Sequence, residues 1–457
     1  MKKIMNINKI KTFALAILAA GAMASCEDAI NVQQIGEEPF APSQKSLVFL
    51  SDQFGMTNAD SLLFNEQGTT EFFVNLTQVQ TKDAEFTVVY DAAALNKYNM
   101  ANGTDYKAMP EALVTIEGTA VVAAGQAKSS AVKVGYKTDA ALEDLGTYAI
   151  PLVVKGNSLA EASVEKGEFI FLVKDITRMP NCHKANKNQI VVSCMEVNDA
   201  NPLHNLCYTL KESGKLVVDQ VILFSGNINY NAETGEVYNY NNENVQHLLD
   251  NRQKYLVPLQ QKGIKVILGI LCNHDRACCT HLGDEAARKF ARELKAKLEA
   301  YELDGVFFDD EYCNRGDYPG FTTYNNFSRL CYEVRKAMPN ALIQAYAYSG
   351  TSSCGPVDGM QPGEFVTQAI QDYGRYYDMS GSYPGLPKSG MIQASSEFAR
   401  GNIISQSRAR QIVTDGYGGT MIFSLNPNNG YVYRFNNITI PFYGEETVQT
   451  GSYAKDW

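Results

Sequence analysis

Tryptophan is nearly absent from this sequence of 457 residues, since its single copy is the final residue, Trp457. Any aromatic binding surface must therefore be built from the 26 tyrosines and 21 phenylalanines. Basic residues are also in deficit, with 40 Lys and Arg against 50 Asp and Glu and a net charge of −10. Nucleic-acid binding relies on basic surface, so we expect no nucleic-acid partner. The 45% hydrophobic content is typical of globular proteins, and the length predicts two or three domains.

Cysteine is missing over the long stretch between Cys26 and Cys182. The cysteines from there onward are Cys182, Cys194, Cys207, Cys272, Cys278, Cys279, Cys313, Cys331 and Cys354. Their number is odd, so at least one thiol stays free if the others pair within the chain, and the spacing does not reveal the pairing. The segment His274–His281 contains two histidines and two cysteines but lacks the paired spacing of common zinc sites. We expect a loop disulfide or plain packing there, with no metal and no other cofactor.

Long apolar runs are missing after the N-terminus. Residues 1–25 hold four lysines, no acid and an apolar run at 13–24, which is the layout of a signal peptide and too short to span a bilayer. The small residues before Cys26 resemble a bacterial lipobox. We therefore predict a lipoprotein signal peptide at 1–25 and a lipidated Cys26, with an ordinary signal peptide as the alternative. The acidic pair that follows resembles a surface-export signal. This predicts an exported outer-membrane lipoprotein at the cell surface, which meets the membrane only through its lipid anchor.

The segment 26–44 is polar, contains two prolines and is typical of a tether. From 45 to 177 the pattern consists of short strands and turns without Cys or His, which favours an antiparallel β-sandwich. The predicted strands are Leu47–Leu50, Glu71–Leu76, Glu85–Tyr90, Ala112–Ile116, Ala131–Tyr136, Tyr148–Val154 and Glu168–Val173. The stretch Asp91–Pro110 resembles an N-terminal domain of unknown function in many bacterial surface lipoproteins. That resemblance implies a spacer, with an accessory binding role as the alternative.

Strands and helices alternate from 178 to 457, which predicts a (β/α)8 TIM barrel as the second domain. The predicted barrel strands lie near residues 190–197, 219–226, 265–271, 304–310, 341–348, 376–383, 390–395 and 419–425. Amphipathic patterns predict helices over 243–262, 284–301 and 324–338. The fold class is therefore an N-terminal β-sandwich followed by a parallel α/β barrel.

The segment Asp304–Tyr312 carries the most informative pattern. Its apolar start predicts a buried barrel strand, and three acids follow at once: Asp309, Asp310 and Glu311. Side chains alternate along a strand, so Asp309 and Glu311 share one face, about 7 Å apart, while Asp310 points the other way. Barrel enzymes place their chemistry at this end of the strands, and buried carboxylates are costly without partners. We interpret the pair as catalytic, with an ion-pair network under the barrel rim as the alternative.

This segment resembles the catalytic motif of family 18 glycoside hydrolases, which is Asp-x-x-Asp-x-Asp-x-Glu on the fourth barrel strand. Asp304, Asp309 and Glu311 match the motif, and Phe307 stands where the motif has its second Asp. The Asp-Asp-Glu-Tyr ending is similar to that of the secreted bacterial endo-β-N-acetylglucosaminidases. Similar segments recur in family order across residues 188–445, at Phe224–Tyr230, Asn242–Gln246, Leu259–Val266, Asn273-His274 and Asp415–Gly418.

The resemblance implies an enzyme that hydrolyses the GlcNAc-β-1,4-GlcNAc core bond of an N-linked glycan or glycoprotein with retention of configuration. Glu311 would protonate the leaving oxygen and later activate water. Asp309 would hold the acetamido N–H of the substrate, whose carbonyl attacks C1 to form an oxazoline. We expect repulsion from Asp309 to raise the pKa of Glu311. Tyr383, at the end of the predicted sixth strand, would donate its hydroxyl to the acetamido carbonyl; a rim tyrosine that packs on loops is the alternative.

Further residues at strand ends are candidate substrate contacts: Phe224, Asn227, Asn229, Asn273, Tyr312, Gln344, Tyr346 and Tyr348. The asparagines are equally compatible with turns, and Gln344 with packing of the barrel core. A chitinase of the same family is one alternative function, which Phe307 and the shortage of tryptophan disfavour. A non-catalytic surface glycan-binding lipoprotein is another, which the intact Asp309, Glu311 and Tyr383 disfavour. Neighbouring glycan-uptake proteins are candidate partners.

Overall fold

The computed structural model describes residues 46–457 apart from 158–162, 186–187 and 317. The predicted signal peptide at 1–25, the lipidated Cys26 and the tether at 26–44 lie outside the described residues. The described chain has a β-rich N-terminal part and a C-terminal parallel barrel, which confirms the predicted fold class. Among the described residues, no helix combines the length and the apolar character that crossing a membrane requires.

Two sheets form the N-terminal part. The first has the strand order Ser163–Lys166, Leu47–Asp52, Gln67–Leu76, Val132–Lys137 and Val114–Glu117. The second has the order Ala59–Phe64, Glu168–Asp175, Thr147–Asn157, Ala84–Tyr90 and Ala120–Val122, with Lys107–Ala108 beside Thr147–Asn157. Most pairs are antiparallel, but Ala59–Phe64 runs parallel to Glu168–Asp175. The sequence did not predict the strands at 59–64 and 120–122 or the helix Ala92–Asn102, which Asp91 caps.

The two sheets pack face to face because their strands alternate apolar and polar side chains. Phe72 and Val74, at alternate positions of one strand, are fully buried in a core that both sheets share. Phe72 meets Phe169 and Phe171 of the second sheet edge-to-face, with ring centroids 5.1 and 5.4 Å apart. These aromatic contacts hold the sheets together as the predicted sandwich.

Eight parallel strands close the barrel. In chain order they are Ile190–Glu196, Gln220–Asn231, Lys265–Cys272, Gly305–Asp309, Leu342–Ala347, Gln368–Gln371, Met391–Ile392 and Gly419–Phe423. The first strand pairs with both the second and the eighth, and this pairing closes the ring. The barrel interior is filled by side chains from every strand, among them Val192, Ile222, Ile267, Phe307, Tyr346, Ile370, Ile392 and Met421.

The sixth barrel strand is Gln368–Gln371, so the prediction of a strand at 376–383 is wrong. The real strand has only four residues with glutamine at both ends, and it therefore lacks the long apolar run that marks the other strands. Residues 376–383 form a loop instead. The seventh strand, Met391–Ile392, is shorter than the predicted 390–395 and has just two residues.

Helices cover the outside of the barrel. The α-helices are Glu243–Asp250, Arg252–Tyr255, Val257–Gln261, Asp284–Ala300, Phe327–Ala337, Pro362–Phe365, Gln406–Asp415 and Val432–Tyr443. Shorter elements around the barrel are the 3₁₀ turns Pro202–Cys207, Ser349–Thr351 and Lys388–Gly390 and the strands Tyr208–Leu210, Glu236–Tyr240, Ser396–Glu397 and Thr447–Gln449, while the 3₁₀ turn Glu111–Leu113 belongs to the N-terminal part. In the longest helix Ala287, Phe290 and Leu294 are buried, at the spacing of one helix face. The region predicted as one helix at 243–262 is three short ones.

The two parts of the molecule meet through charged and polar side chains. The Lys254 ammonium lies 2.6 Å from Asp60 of the N-terminal part and 3.0 Å from Asp456 at the end of the chain. Lys254 and Asp60 are both buried. Lys262 donates to the side chain of Asn65 at 2.7 Å. Removal of one member of a buried ion pair leaves the other charge buried without a partner, which is unfavourable. These contacts therefore fix the relative position of the two parts.

Candidate active site

A cavity of about 360 Å³ opens at the carboxyl ends of the barrel strands. Its lining residues are Cys194, Glu196, Phe224, Leu271, Phe307, Asp309, Glu311, Tyr312, Tyr346, Tyr373, Glu397, Arg400, Met421 and Phe423. Aromatic and apolar walls with a few convergent charges are the usual setting of a small-ligand site. A larger cavity of about 820 Å³ lies where the two parts of the molecule meet, but it is lined by polar side chains such as Gln53 and Arg252, away from the acid cluster. We therefore take the smaller cavity as the candidate active site.

Asp309 is the last residue of the fourth barrel strand and lines this cavity. The residue is 6% exposed, and its Oδ1 atom has no hydrogen-bond partner. Burial raises the pKa of this carboxyl well above its ordinary value, and the negative charges of Glu311, Asp310 and Asp372 add to the effect. A buried carboxyl without a partner is unfavourable in the free protein. The cavity thus contains an acceptor that a ligand donor can satisfy.

Glu311 lies two residues beyond Asp309 and is half-buried in the cavity wall. Burial raises the pKa of Glu311, the charge of Asp372 raises it further, and a hydrogen bond with Tyr312 opposes the shift. The expectation that the charge of Asp309 raises the pKa of Glu311 is not met, because the repulsion between the two carboxylates raises the pKa of the group that ionises second, and that group is Asp309. Asp309 is the more deeply buried of the two and keeps its proton to higher pH, so it carries less charge to repel its neighbour. Glu311 is suited to hold a proton above the ordinary pKa of a glutamic acid.

Asp310 has its carboxylate among donors at the end of the third strand and on the loop that follows it. It accepts from the Cys279 backbone N–H at 2.9 Å, from the Thr280 hydroxyl at 2.6 Å and from the Cys272 thiol at 2.9 Å. The Arg315 guanidinium lies 2.5 Å from the second carboxylate oxygen. Asp310 therefore ties the end of the fourth strand to its neighbouring loop.

The fifth and sixth strands contribute tyrosines to the cavity. Tyr346, in the fifth strand, donates its hydroxyl to Asp372 at 2.6 Å. Asp372 and Tyr373 directly follow the sixth strand, and Tyr373 lines the cavity. Burial raises the pKa of Tyr373, so its hydroxyl stays protonated and able to donate a hydrogen bond. Asp372 and Tyr373 are not among the predicted site residues, because the predicted sixth strand lies too far along the chain.

Tyr383, predicted to contact the substrate, does not reach the cavity. Its side chain is fully buried, and its hydroxyl donates to the backbone carbonyl of Thr351. A side chain without exposed surface, whose donor already has a partner, cannot serve a ligand. The prediction that Tyr383 contacts the substrate is therefore wrong, and the tyrosine that follows the sixth strand is Tyr373.

Phe224, Tyr312 and Tyr346 line the cavity among the predicted substrate contacts. Gln344 does not, because it is fully buried inside the barrel. Its amide donates to the Gln220 side chain at 2.7 Å and to the Gln368 side chain at 2.5 Å. These three glutamines form a polar layer below the cavity floor, so Gln344 acts in packing and the prediction of substrate contact is wrong.

The remaining predicted contacts lie outside the lining of the cavity. The Asn227 side chain is buried and donates to the Leu271 carbonyl at 3.3 Å, and Asn229 pairs with Tyr238 in the hairpin that extends the second strand. Asn273 is exposed just past the third strand. Tyr348 is exposed on the rim, with its ring centroid 6.0 Å from that of Tyr346. Asn273 and Tyr348 are placed to meet a ligand that extends beyond the cavity.

Acidic residues that the sequence did not single out complete the lining. Glu196 ends the first barrel strand, and Glu397 ends the short strand beside the eighth. The Glu397 carboxylate accepts from the backbone N–H groups of Ala399 and Arg400. An acid at the end of a predicted barrel strand was a usable signal for Glu196. Glu397 follows the predicted seventh strand at a spacing too loose to distinguish it.

Known proteins resemble both parts of the chain. A family model described as an N-terminal domain matches residues 42–161. Endo-β-N-acetylglucosaminidase F1 of Elizabethkingia meningoseptica is 51% identical over 276 residues, which cover 58% of this chain and 81% of that protein. This chain belongs to the endo-β-N-acetylglucosaminidases of glycoside hydrolase family 18. An endo-β-N-acetylglucosaminidase of a Flavobacterium species is 32% identical over 273 residues, which cover 59% of this chain and 85% of that protein.

Solved structures extend the likeness of this endo-β-N-acetylglucosaminidase family member beyond the barrel. EndoBT-3987 of Bacteroides thetaiotamicron has crystal structures with a Man5GlcNAc product and with a Man9GlcNAc2Asn substrate. They are 32% and 31% identical to this chain, with a TM-score of 0.57 in both cases. The match covers 89% of this chain and 97% of that one, so it includes both the β-rich part and the barrel.

Proposed function

We propose that this enzyme hydrolyses the β-1,4 bond between the two core N-acetylglucosamines of an N-linked glycan. The observation that carries the proposal is the carboxyl pair in the cavity: Asp309, whose buried Oδ1 lacks a partner, and the half-buried Glu311. Membership of the endo-β-N-acetylglucosaminidases supports the reaction, and the Man9GlcNAc2Asn complex of EndoBT-3987 supports the substrate class.

In the first step, the acetamido carbonyl oxygen of the substrate attacks C1 while the bond from C1 to the leaving oxygen breaks. Glu311 gives its proton to that oxygen, for which its raised pKa is suited. The sugar becomes an oxazoline, and its nitrogen gains positive charge. The acetamido N–H faces the Oδ1 atom of Asp309, which has no other donor. Positive charge beside Asp309 lowers its pKa from the raised value of the free cavity, so Asp309 releases its proton to solvent as the oxazoline forms and takes one back when the oxazoline opens.

In the second step, a water molecule attacks C1 from the side that the leaving group vacated. Glu311, now a carboxylate, takes a proton from this water, and the C1–O bond of the oxazoline opens. Two displacements at C1 retain its configuration, and the acetamido group and Glu311 return to their starting states.

Tyr373 takes the role that the family resemblance implied for Tyr383. It lines the cavity directly after the sixth strand, and its protonated hydroxyl is a donor for the acetamido carbonyl oxygen. A hydrogen bond to this oxygen orients it toward C1. The rings of Phe224, Phe307 and Tyr346 give the sugar an aromatic surface in place of the missing tryptophans.

The decisive experiment replaces Glu311 by Gln and measures glycan release from a glycoprotein by mass. The amide keeps the shape of the side chain but cannot give a proton, so we expect turnover to fall by roughly 10²–10⁴-fold while glycan binding persists. Glu285→Gln, on the outer face of a helix with its side chain 80% exposed, is the matched control and should leave turnover unchanged. Near-native turnover of Glu311→Gln would refute the assignment.

A second experiment tests participation of the substrate. An analogue without the acetamido group on the scissile sugar should bind but not be cleaved, since C1 then has no internal nucleophile. Efficient cleavage of that analogue would instead indicate a nucleophile from the protein.

Chitinase activity is the competing function, and Phe307 is the observation against it. This ring packs among Phe224 and Tyr346, at centroid distances of 6.3 and 6.2 Å, where the family motif has an aspartate. The carboxyl beneath Asp309 is thus replaced by an apolar floor. Release of sugar from chitooligosaccharides at a rate equal to that from a glycoprotein would favour the chitinase alternative.

For the whole protein we propose lipid anchoring at Cys26, display on the outer membrane, and a spacer role for the sandwich beside neighbouring glycan-uptake proteins. The sequence pattern before Cys26 supports this proposal. Cys26→Ala should release active enzyme from the membrane fraction, and labelled fatty acid should be incorporated only into the parent chain. Incorporation of label into the variant would contradict it.

A further inference from the structure

Four cysteines surround Asp310 behind the cavity. Cys272 ends the third barrel strand, Cys278 and Cys279 lie in the loop after it, and Cys313 lies two residues beyond Glu311. Cys272, Cys278 and Cys279 are fully or almost fully buried. The proposed reaction uses none of these thiols.

The four thiols form two close pairs. The Sγ atoms of Cys272 and Cys279 and a carboxylate oxygen of Asp310 lie within 4.8 Å of one another. The same holds for the Sγ atoms of Cys278 and Cys313 with Asp310. The Cys272 thiol also contacts Cys313, so the sulfurs form a chain in the order Cys279, Cys272, Cys313 and Cys278. Four sulfurs in a chain, joined by three contacts, can be divided into two complete pairs of neighbours in one way only.

We propose that these thiols form two disulfides, Cys272–Cys279 and Cys278–Cys313, which hold the segment after the catalytic glutamate against the neighbouring loop. The oxidant is a disulfide compound such as oxidised glutathione. For each bond, one thiolate attacks the oxidant and the second thiol displaces it, so two protein thiols lose two electrons and two protons. The oxidant disulfide accepts them and leaves as two thiols.

A metal ion at the same sulfurs is the competing occupant, and Arg315 argues against it. Its guanidinium lies 2.5 Å from the Asp310 carboxylate that a cation would share. Disulfide formation removes the thiol donor of Cys272, but Asp310 keeps the Cys279 N–H, the Thr280 hydroxyl and Arg315. The carboxylate therefore remains satisfied after oxidation.

The test maps disulfides in the full-length protein after incubation with oxidised glutathione in mild urea. Remaining thiols are blocked and the chain is cut with trypsin. We expect the peptides 266–276, 277–288 and 298–315, which contain these four cysteines, to appear as one linked species that separates on reduction. Unlinked peptides, or one equivalent of zinc retained by the protein and released only by denaturation, would overturn the proposal.

Two variants assign the pairing. Cys279→Ala should free peptide 266–276 and leave 277–288 linked to 298–315, whereas Cys278→Ala should free 298–315 and leave the other two linked. The reverse pattern would overturn the pairing. Cys182→Ala, distant in sequence, is the control and should leave all three peptides linked. We also expect the oxidised protein to melt at least about 5 °C higher than the reduced one, and equal melting temperatures would overturn the holding role.

Discussion

Asp309 and Asp310 are neighbours in the chain, yet their carboxyls have opposite surroundings. The Oδ1 atom of Asp309 is buried in the cavity without a partner, whereas Asp310 accepts from a backbone N–H, a hydroxyl and a thiol and pairs with Arg315. The alternation of side chains along a strand separates the two. One face of the strand end thus contains an acceptor without a partner, which is available to a substrate. The other face contains the contacts that hold the strand in place.

The largest expected effect concerns Asp309, on the cavity face of the strand end. Asp309→Asn should lower glycan release by about 10²–10³-fold, because the amide cannot stabilise the positive charge of the oxazoline. The same change should stabilise the protein at neutral pH. The pKa of Asp309 is raised in the folded state, so the parent chain loses stability as pH rises from the ordinary aspartate value through the raised one.

Thermal melts of the two proteins between pH 3 and pH 8 measure this effect. Both side chains are uncharged at the acid end, so the melting temperatures should agree there and the variant should gain as pH rises. A variant that is less stable than the parent at pH 8 would show that the Asp309 charge has a stabilising partner.

The next largest effect concerns Asp310, on the opposite face of the strand end. Asp310→Ala removes the common acceptor of three donors and the partner of Arg315, so we expect the free energy of unfolding to fall by about 3 kcal/mol. Urea denaturation followed by circular dichroism measures it. Asp105→Ala, at an exposed position of the N-terminal part, should change the same quantity by less than about 0.5 kcal/mol. Equal losses in the two variants would show that the contacts of Asp310 do not hold the strand in place.

A smaller effect is expected for Tyr373, which lines the cavity, and for Tyr383, which does not. Tyr373→Phe should lower kcat about tenfold, the equivalent of one hydrogen bond made in the transition state, and leave stability nearly unchanged. Tyr383→Phe should do the reverse: kcat stays, and the free energy of unfolding falls by about 1 kcal/mol because the Thr351 carbonyl loses its donor. Loss of kcat in Tyr383→Phe alone would restore the original assignment.

The smallest effect concerns pH dependence. Glu311 must be protonated for the first step, and the charge of Asp372 contributes to its raised pKa. Asp372→Asn should therefore move the alkaline limb of the kcat/KM profile to lower pH. Asp378→Asn, in the exposed loop after it, should leave the limb in place. A shift to higher pH in Asp372→Asn would contradict the cause assigned to the pKa of Glu311.

The barrel and its fourth strand could be predicted because a buried parallel strand leaves a clear apolar run, and Asp309 and Glu311 follow that run directly. The sixth strand could not, because Gln368–Gln371 has only two apolar residues, which lie between two buried glutamines, and the partner of the Gln368 side chain is Gln344 of the adjacent fifth strand. Because the predicted sixth strand lies too far along the chain, the tyrosine expected to contact the substrate after it was Tyr383 and not Tyr373. The surroundings of Asp310 were also out of reach, since its donors come from a loop about 30 residues earlier in the chain.

The seventh strand gives the barrel wall a weak seam. Met391–Ile392 pairs with the sixth strand at Ala369 and Ile370 and with the eighth at Gly419. A wall joined at so few positions opens at a lower free-energy cost than one joined along full strands, so we expect its amide protons to exchange with solvent before those of the longer strands. The cavity residues Glu397 and Arg400 follow this seam in the chain. A bulky ligand that contacts this side of the cavity therefore meets the part of the barrel wall that opens at the lowest free-energy cost.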